Sequence, residues 1–149
     1  MSTDFEKLQE LFLANARNIY SETVINHAMN SRNAGNIESA DGYASVIGSC
    51  GDTMEIWLQA RDNTIIRATF MTDGCGATIA AGSMVTELAK GKNIFQAFRI
   101  TQQDILKALD GLPKENQHCA LLAANTLKEA IRDYLDLKKE PWKKAYRKV

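Results

Sequence analysis

No apolar run of the roughly 18 residues needed to cross a bilayer occurs anywhere in this chain, which excludes a membrane-spanning role. Charge of one sign is not in excess either. Eighteen Lys and Arg balance 18 Asp and Glu, which argues against a general nucleic-acid binder, since such domains carry a strong basic surplus. Two prolines and nine glycines in 149 residues are ordinary globular usage, neither collagen-like nor disordered. The opening MSTDFEKLQE is acidic and not led by apolar residues, so it reads as neither a secretory signal nor an Arg-rich transit peptide. Cysteine is sparse and odd in number, at three. Without an export signal, that argues against a disulfide framework and for reduced thiols in a cytoplasmic setting.

What is present fits one domain with one hydrophobic core. Residues 1–137 form the expected domain, and 138–149 a basic tail. From Lys138 to Val149 there are six Lys or Arg and one Glu, so the preceding 137 residues hold 12 basic against 17 acidic side chains, a net charge of −5.

Local patterns predict the elements. Thr3 to Glu6 reads as a capping box, and Phe5, Leu8, Leu11 and Phe12 recur at helical spacing, giving a helix over about 4–17. A short second helix starts after Ser21 and runs through VINHAM. Residues 30–42, NSRNAGNIESADG, are polar and aperiodic and read as a loop. YASVIG (43–48), MEIWLQA (54–60) and IIRATFM (65–71) are strand-like, and the short RDNT link makes an antiparallel meander the economical arrangement. Beyond Gly76, the positions Ala81, Met84, Val85 and Leu88 share a helical face, with Gly91 as its stop. Asn93 and Thr101 are expected to cap two short helices. A long helix begins near Asn116, with Ala120, Ala124, Leu127, Ile131 and Tyr134 as its packing stripe. The tail reads as helix fray or a loose arm. The fold class is α+β: a three-stranded antiparallel sheet with helices before and after it.

The three cysteines fall at element ends. Cys50 follows the first strand in IGSCGD, Cys75 follows the third in TDGCG, and Cys119 opens the last helix in QHCA. In a meander the ends of strands one and three lie at the same end of the sheet, so two thiols are already neighbours and a helix start can supply the third. A lone cysteine is ordinarily a small buried hydrophobe. Three at element ends, two of them flanked by glycine, point instead to metal or sulfur chemistry. Helix N-termini favour thiolates, which is expected at both Cys75 and Cys119. A tetrahedral site needs a fourth ligand, and two candidates stand close by: Asp52, two residues after Cys50, and His118, beside Cys119. His27 lies in a short helical pattern and reads as a packing or surface residue. A Cys–His nucleophilic hydrolase would leave two cysteines unexplained.

At these residues the chain resembles the IscU/NifU-type iron–sulfur cluster scaffold proteins. The resemblance is carried by CGDTMEIWLQ, TDGCGATIAAGSMVTELAKGK and QHCALLAANTLKEAI, with IYSETVINHAMNSRNAGNI upstream, and spans about residues 19–135. It implies a SufE/NifU-type fold and a scaffold or carrier, not a turnover enzyme. Such a scaffold takes sulfur from a cysteine desulfurase, assembles a [2Fe–2S] cluster and passes it to apo iron–sulfur proteins. By the same resemblance Cys50, Cys75 and Cys119 are cluster ligands and sulfur acceptors, with Cys119 the persulfide-acceptor candidate. Asp52 keeps the cluster labile and His118 can also ligate. The family site can hold zinc, and a homo-oligomer is compatible with the resemblance. Members served by a dedicated Hsp70-type chaperone carry LPPVK before the third cysteine. Leu112 to Asn116 here reads LPKEN, which puts that contact in doubt. The alternative is a zinc-bound sulfur acceptor or sulfurtransferase resembling the SufU branch. That branch carries an insertion between the second and third cysteines and lacks the adjacent histidine. Here 43 residues separate Cys75 from Cys119, and His118 is present.

Overall fold

The structure is a computed structural model and describes residues 4–146, with the side chains of Phe5, Gln9 and Phe12 outside that description. The capping-box expectation at Thr3 also lies outside the described residues. The chain begins with α1 (Asp4–Ile19) and α2 (Glu22–Met29), followed by the strands β1 (Gly42–Ile47), β2 (Thr53–Arg61) and β3 (Thr64–Thr72). The remaining elements are α3 (Gly76–Ala89), α4 (Ile94–Phe98), α5 (Gln102–Ala108) and α6 (Gln117–Lys139), with 3-10 turns at Lys114–Asn116 and Pro141–Tyr146. The sheet order is β1-β2-β3, antiparallel throughout.

The turn residues explain the hairpin. Asp62 and Asn63, at φ 52° and 63°, form a two-residue link in the left-handed region that Asp and Asn tolerate best among residues with a Cβ. Near this link the ladder shifts register between Gln59 and Ala60, so that Ala60 pairs with Ile65. The extra residue, Ile66, is left partly exposed while Ile65 is fully buried. Met54, Ile56 and Leu58 alternate along the core face of β2, where α6 packs over β1 and β2 and α3 packs over β3. Trp57 faces the other way, into a small cluster with Ile37 and Ala40 from the 30–42 segment.

That segment is irregular, as expected, but it is also tied to the sheet. Phe70 N–H donates to the Asn33 carbonyl at 3.0 Å, and Gly35 N–H to the Phe70 carbonyl at 3.0 Å. Ser21, Asn93 and Thr101 cap α2, α4 and α5 through side-chain bonds to backbone N–H groups, the last two as full capping boxes. Ala120, Ala124, Leu127 and Ile131 are buried along α6, while Tyr134 is half-buried.

The helix expected over about 4–17 is present as α1, with Leu8 and Leu11 largely exposed. One expectation needs correcting: the tail is not a loose arm through residue 146. α6 runs past the expected boundary to Lys139, Pro141 opens the 3-10 turn, and Lys144 Nζ sits 2.9 Å from Asp41 Oδ1. Asp41 Oδ2 meanwhile accepts from Ala60 N–H at 2.9 Å, so one carboxylate joins tail and sheet.

Candidate metal and cluster site

Side chains lock the end of the sheet that carries the cysteines. Thr53 N–H donates to Asp73 Oδ1 at 2.8 Å, and the Thr72 hydroxyl donates to the Thr53 carbonyl at 2.7 Å. Gly74 N–H donates to Thr72 Oγ1 at 3.1 Å. These bonds aim the chain from β3 into Cys75, the N-cap of α3. After β1 the chain doubles back: Gly51 N–H donates to the Gly48 carbonyl at 3.0 Å, and Gly48 N–H to the Asp52 carbonyl at 2.7 Å. Gly51 sits at φ +86°, a conformation this turn requires and glycine adopts freely. Cys50 stands exposed on the turn, and Asp52 points back inward.

The third arm is the start of α6. Gln102 Nε2 donates to the Gln117 carbonyl at 2.9 Å, fixing the helix start against α5. Cys119 is 1 % exposed in the third helical position, and His118 Nε2 lies 3.7 Å from its sulfur.

The three arms meet at a residue that sequence reasoning missed. Thr78 Oγ1 donates to Asp52 Oδ2 at 3.1 Å and lies 3.3 Å from Cys119 Sγ and 3.7 Å from Cys75 Sγ. Thr78 is fully buried. The faint signal for it was a threonine three residues after a cysteine N-cap. The structure therefore brings Cys75, Asp52 and Cys119 to one hydroxyl and sets His118 beside Cys119. Cys50 stands at the rim, where its charge acts on Cys119. Among the described residues no three His, Cys, Asp or Glu side chains stand ready-assembled around a metal ion.

Cys75 and Cys119 differ. Burial works to raise the Cys75 thiol, but the Thr78 N–H, the Thr78 hydroxyl and the Ala77 N–H together bring it below its ordinary value. These donors belong to the first turn of α3, whose N–H groups have no partner within the helix. Cys119 goes the other way. Burial raises it first, and negative charge at Cys75, Asp52 and Cys50 adds to the rise against the opposing Thr78 hydrogen bond. The expectation of a thiolate-rich Cys119 is thus corrected: its helix start is packed inside the protein, and desolvation outweighs the helix field. His27, expected on a surface or in packing, is a packing residue, with Nδ1 2.7 Å from Ser83 Oγ.

The donor set suits thiophilic metals. Thiolate and imidazole are ligands for zinc and for iron–sulfur clusters, and a carboxylate adds a harder, more easily exchanged contact.

Comparison with known proteins points the same way. The family model for the NifU-like N terminal domain matches residues 19–141. The chain is 49 % identical over 117 residues to the iron-sulfur cluster assembly scaffold protein IscU 1 of Archaeoglobus fulgidus, covering 78 % of this chain and 76 % of that one. It is 42 % identical over 120 residues to the IscU scaffold protein of Escherichia coli, covering 77 % and 93 %. The fold matches a nitrogen-fixing NifU-like protein (N-terminal) from Brucella abortus with a TM-score of 0.64 at 21 % identity, covering 80 % of this chain and 96 % of that one. A SUF-system scaffold candidate from Fervidobacterium islandicum gives 0.65 at 22 % identity, covering 78 % and 98 %.

Proposed function

Because this chain belongs to the NifU-like N-terminal domain family, we propose that it is a scaffold on which [2Fe–2S] clusters are built and from which they are passed to apo iron–sulfur proteins. The observation that carries the reading is the convergence of Cys75, Cys119 and Asp52 on the Thr78 hydroxyl, with His118 and Cys50 at the edge of the same site. The cluster is cargo. Thiolates of Cys50, Cys75 and Cys119 supply the firm contacts, while Asp52 and His118 supply exchangeable ones, which suits a product that must leave.

Sulfur comes from a cysteine desulfurase. Cys119 is the persulfide-acceptor candidate, but an incoming donor meets the exposed Cys50 and Cys75 first. Transfer to Cys119 therefore requires the site to open. The chain acts as carrier and acceptor in a reducing, cytoplasmic setting, and no helix among the described residues is long and apolar enough to cross a membrane. A dedicated Hsp70-type contact is not part of the reading, since LPKEN stands at residues 112–116.

Anaerobic reconstitution with iron, cysteine and a desulfurase, followed by visible absorption and iron and sulfide analysis, tests the assignment. Cys50→Ala, Cys75→Ala and Cys119→Ala are each expected to abolish stable assembly. Iron and sulfide content unchanged in all three would overturn it. Zinc that persists through the treatment, with persulfide found on a cysteine and no cluster, would favour the sulfur-acceptor alternative.

A further inference from the structure

Three threonines are fully buried within helices: Thr78, Thr86 and Thr126. Thr86 and Thr126 bond back to the carbonyls four residues earlier, Gly82 at 2.8 Å and Leu122 at 2.7 Å, as helical threonines commonly do. Thr78 cannot do the same within its helix. It is the third residue of α3, so the residue four places earlier, Gly74, lies outside the helix. Its hydroxyl turns instead across the gap between α3, the 48–52 turn and α6, and meets Asp52, Cys119 and Cys75.

We propose that Thr78 is a positioning residue that latches the metal-free site, holding Cys119 in its buried conformer by tying it to Asp52. A hydroxyl has one proton and two acceptor positions. While Cys119 is a thiol, the hydroxyl proton goes to the Asp52 carboxylate, which leaves the oxygen to accept from the Cys119 S–H; only toward a thiolate does the hydroxyl turn to donate to sulfur. The contacts therefore depend on one another. When Asp52 swings toward a metal ion the hydroxyl loses its acceptor, and Cys119 loses the arrangement that kept it inside. Gly74 preserves the latch by leaving room for it, since a Cβ there would fall 2.7 Å from Thr78 Oγ1. Treating these atoms as donors rests on the scaffold reading. The latch itself is read on metal-free protein, so its failure and a failure of cluster assembly are distinguishable.

The test is alkylation of the full-length, chelator-treated protein with iodoacetamide across a pH series, with each cysteine followed by mass spectrometry. Limiting thiolate rates are compared, so that a change in access is separated from a change in thiolate fraction; Cys50 is the internal reference. Thr78→Val keeps the branched shape and removes the hydroxyl; Thr78→Ser keeps the hydroxyl. Loss of one ordinary hydrogen bond is expected to speed Cys119 alkylation about fivefold in Thr78→Val, with Thr78→Ser close to wild type. Asp52→Ala is expected to speed Cys119 in the wild-type background and to add nothing in Thr78→Val, the sign of one shared interaction. Circular dichroism checks folding. Equal Cys119 rates in wild type and Thr78→Val, or a Thr78→Ser rate as high as that of Thr78→Val, would overturn the latch. If Thr78→Val does not fold, the Asp52→Ala arm decides: an unchanged Cys119 rate there overturns it.

Discussion

Gly74 and Asp52 compete for one space: a Cβ on Gly74 would fall 2.8 Å from Asp52 Oδ2, and 2.7 Å from Thr78 Cβ. The carboxylate could swing aside, but Thr78 is branched and fully buried and has nowhere to go. Gly74→Ala is therefore expected to lower the stability of the apo-protein by about 1–3 kcal/mol, the usual effect of overpacking, and to push Asp52 outward. Thermal melts of the chelated protein measure this. An unaltered melting temperature would show that the Asp52–Thr78 pair gives way freely.

Asp52 itself is expected to set how long the cargo stays. Oxygen ligands hold iron in such clusters less firmly than thiolates, so Asp52→Ala should give a cluster that survives longer and transfers more slowly. The decay of the visible absorbance after reconstitution, read alongside a melt of the apo-protein, separates this from a structural role. A variant that melts earlier, with a cluster that decays as fast as in wild type, would sink the lability role.

His27 makes stability depend on pH. Burial lowers its pKa below the ordinary 6.5, and the charge of Arg32 adds to this against a smaller opposing effect of Glu87. Ser83 Oγ accepts from Arg32 N–H at 2.9 Å and lies 2.7 Å from His27 Nδ1, so its own proton can serve the unprotonated ring nitrogen. In the unfolded chain the ring gains its proton near 6.5, but in the folded chain only at lower pH. Stability from this residue is present above that value and is lost as pH falls through the folded-state pKa, with a slope of at most about 1.4 kcal/mol per pH unit for one proton. Melts between neutral and mildly acidic pH should fall more steeply in wild type than in His27→Gln. Identical slopes would assign the acid sensitivity to other groups.

The segment before α6 offers a negative prediction. Leu112 is buried, and the residues after it wind into the 3-10 turn that feeds α6. With Lys114, Glu115 and Asn116 in place of P-V-K, a peptide spanning Leu112 to Asn116 is expected to bind a family-type Hsp70 partner poorly. Tight binding in a titration would show that the substitution is tolerated.

Much of this fold was legible because its signals are local. Ser21, Asn93 and Thr101 cap helices through atoms only two or three residues away, and Asp62-Asn63 carry their own turn conformation. The cysteines were legible as residue types at element ends. Thr78 was not, since its role appears only when positions 26 residues before it and 41 after it are brought together. Nor was the burial of Cys119. The sequence shows a helix start but not that α3 closes over it. The 30–42 segment lacks periodicity, so its hold on Phe70 had no pattern to betray it.

The Asp41–Lys144 contact lies near the hairpin end of the sheet, while the cysteines lie at the other. The six residues of β1, at about 3.3 Å each, put about 20 Å between them. Leu13, Ala16 and Tyr20, by contrast, line a cavity that Cys75 also lines. A surface tether attached through the 141–146 turn would leave Cys50 and Cys75 facing open solvent, whereas one attached through α1 would crowd Cys75. For immobilised assays of cluster delivery, the two ends of the described chain are not interchangeable.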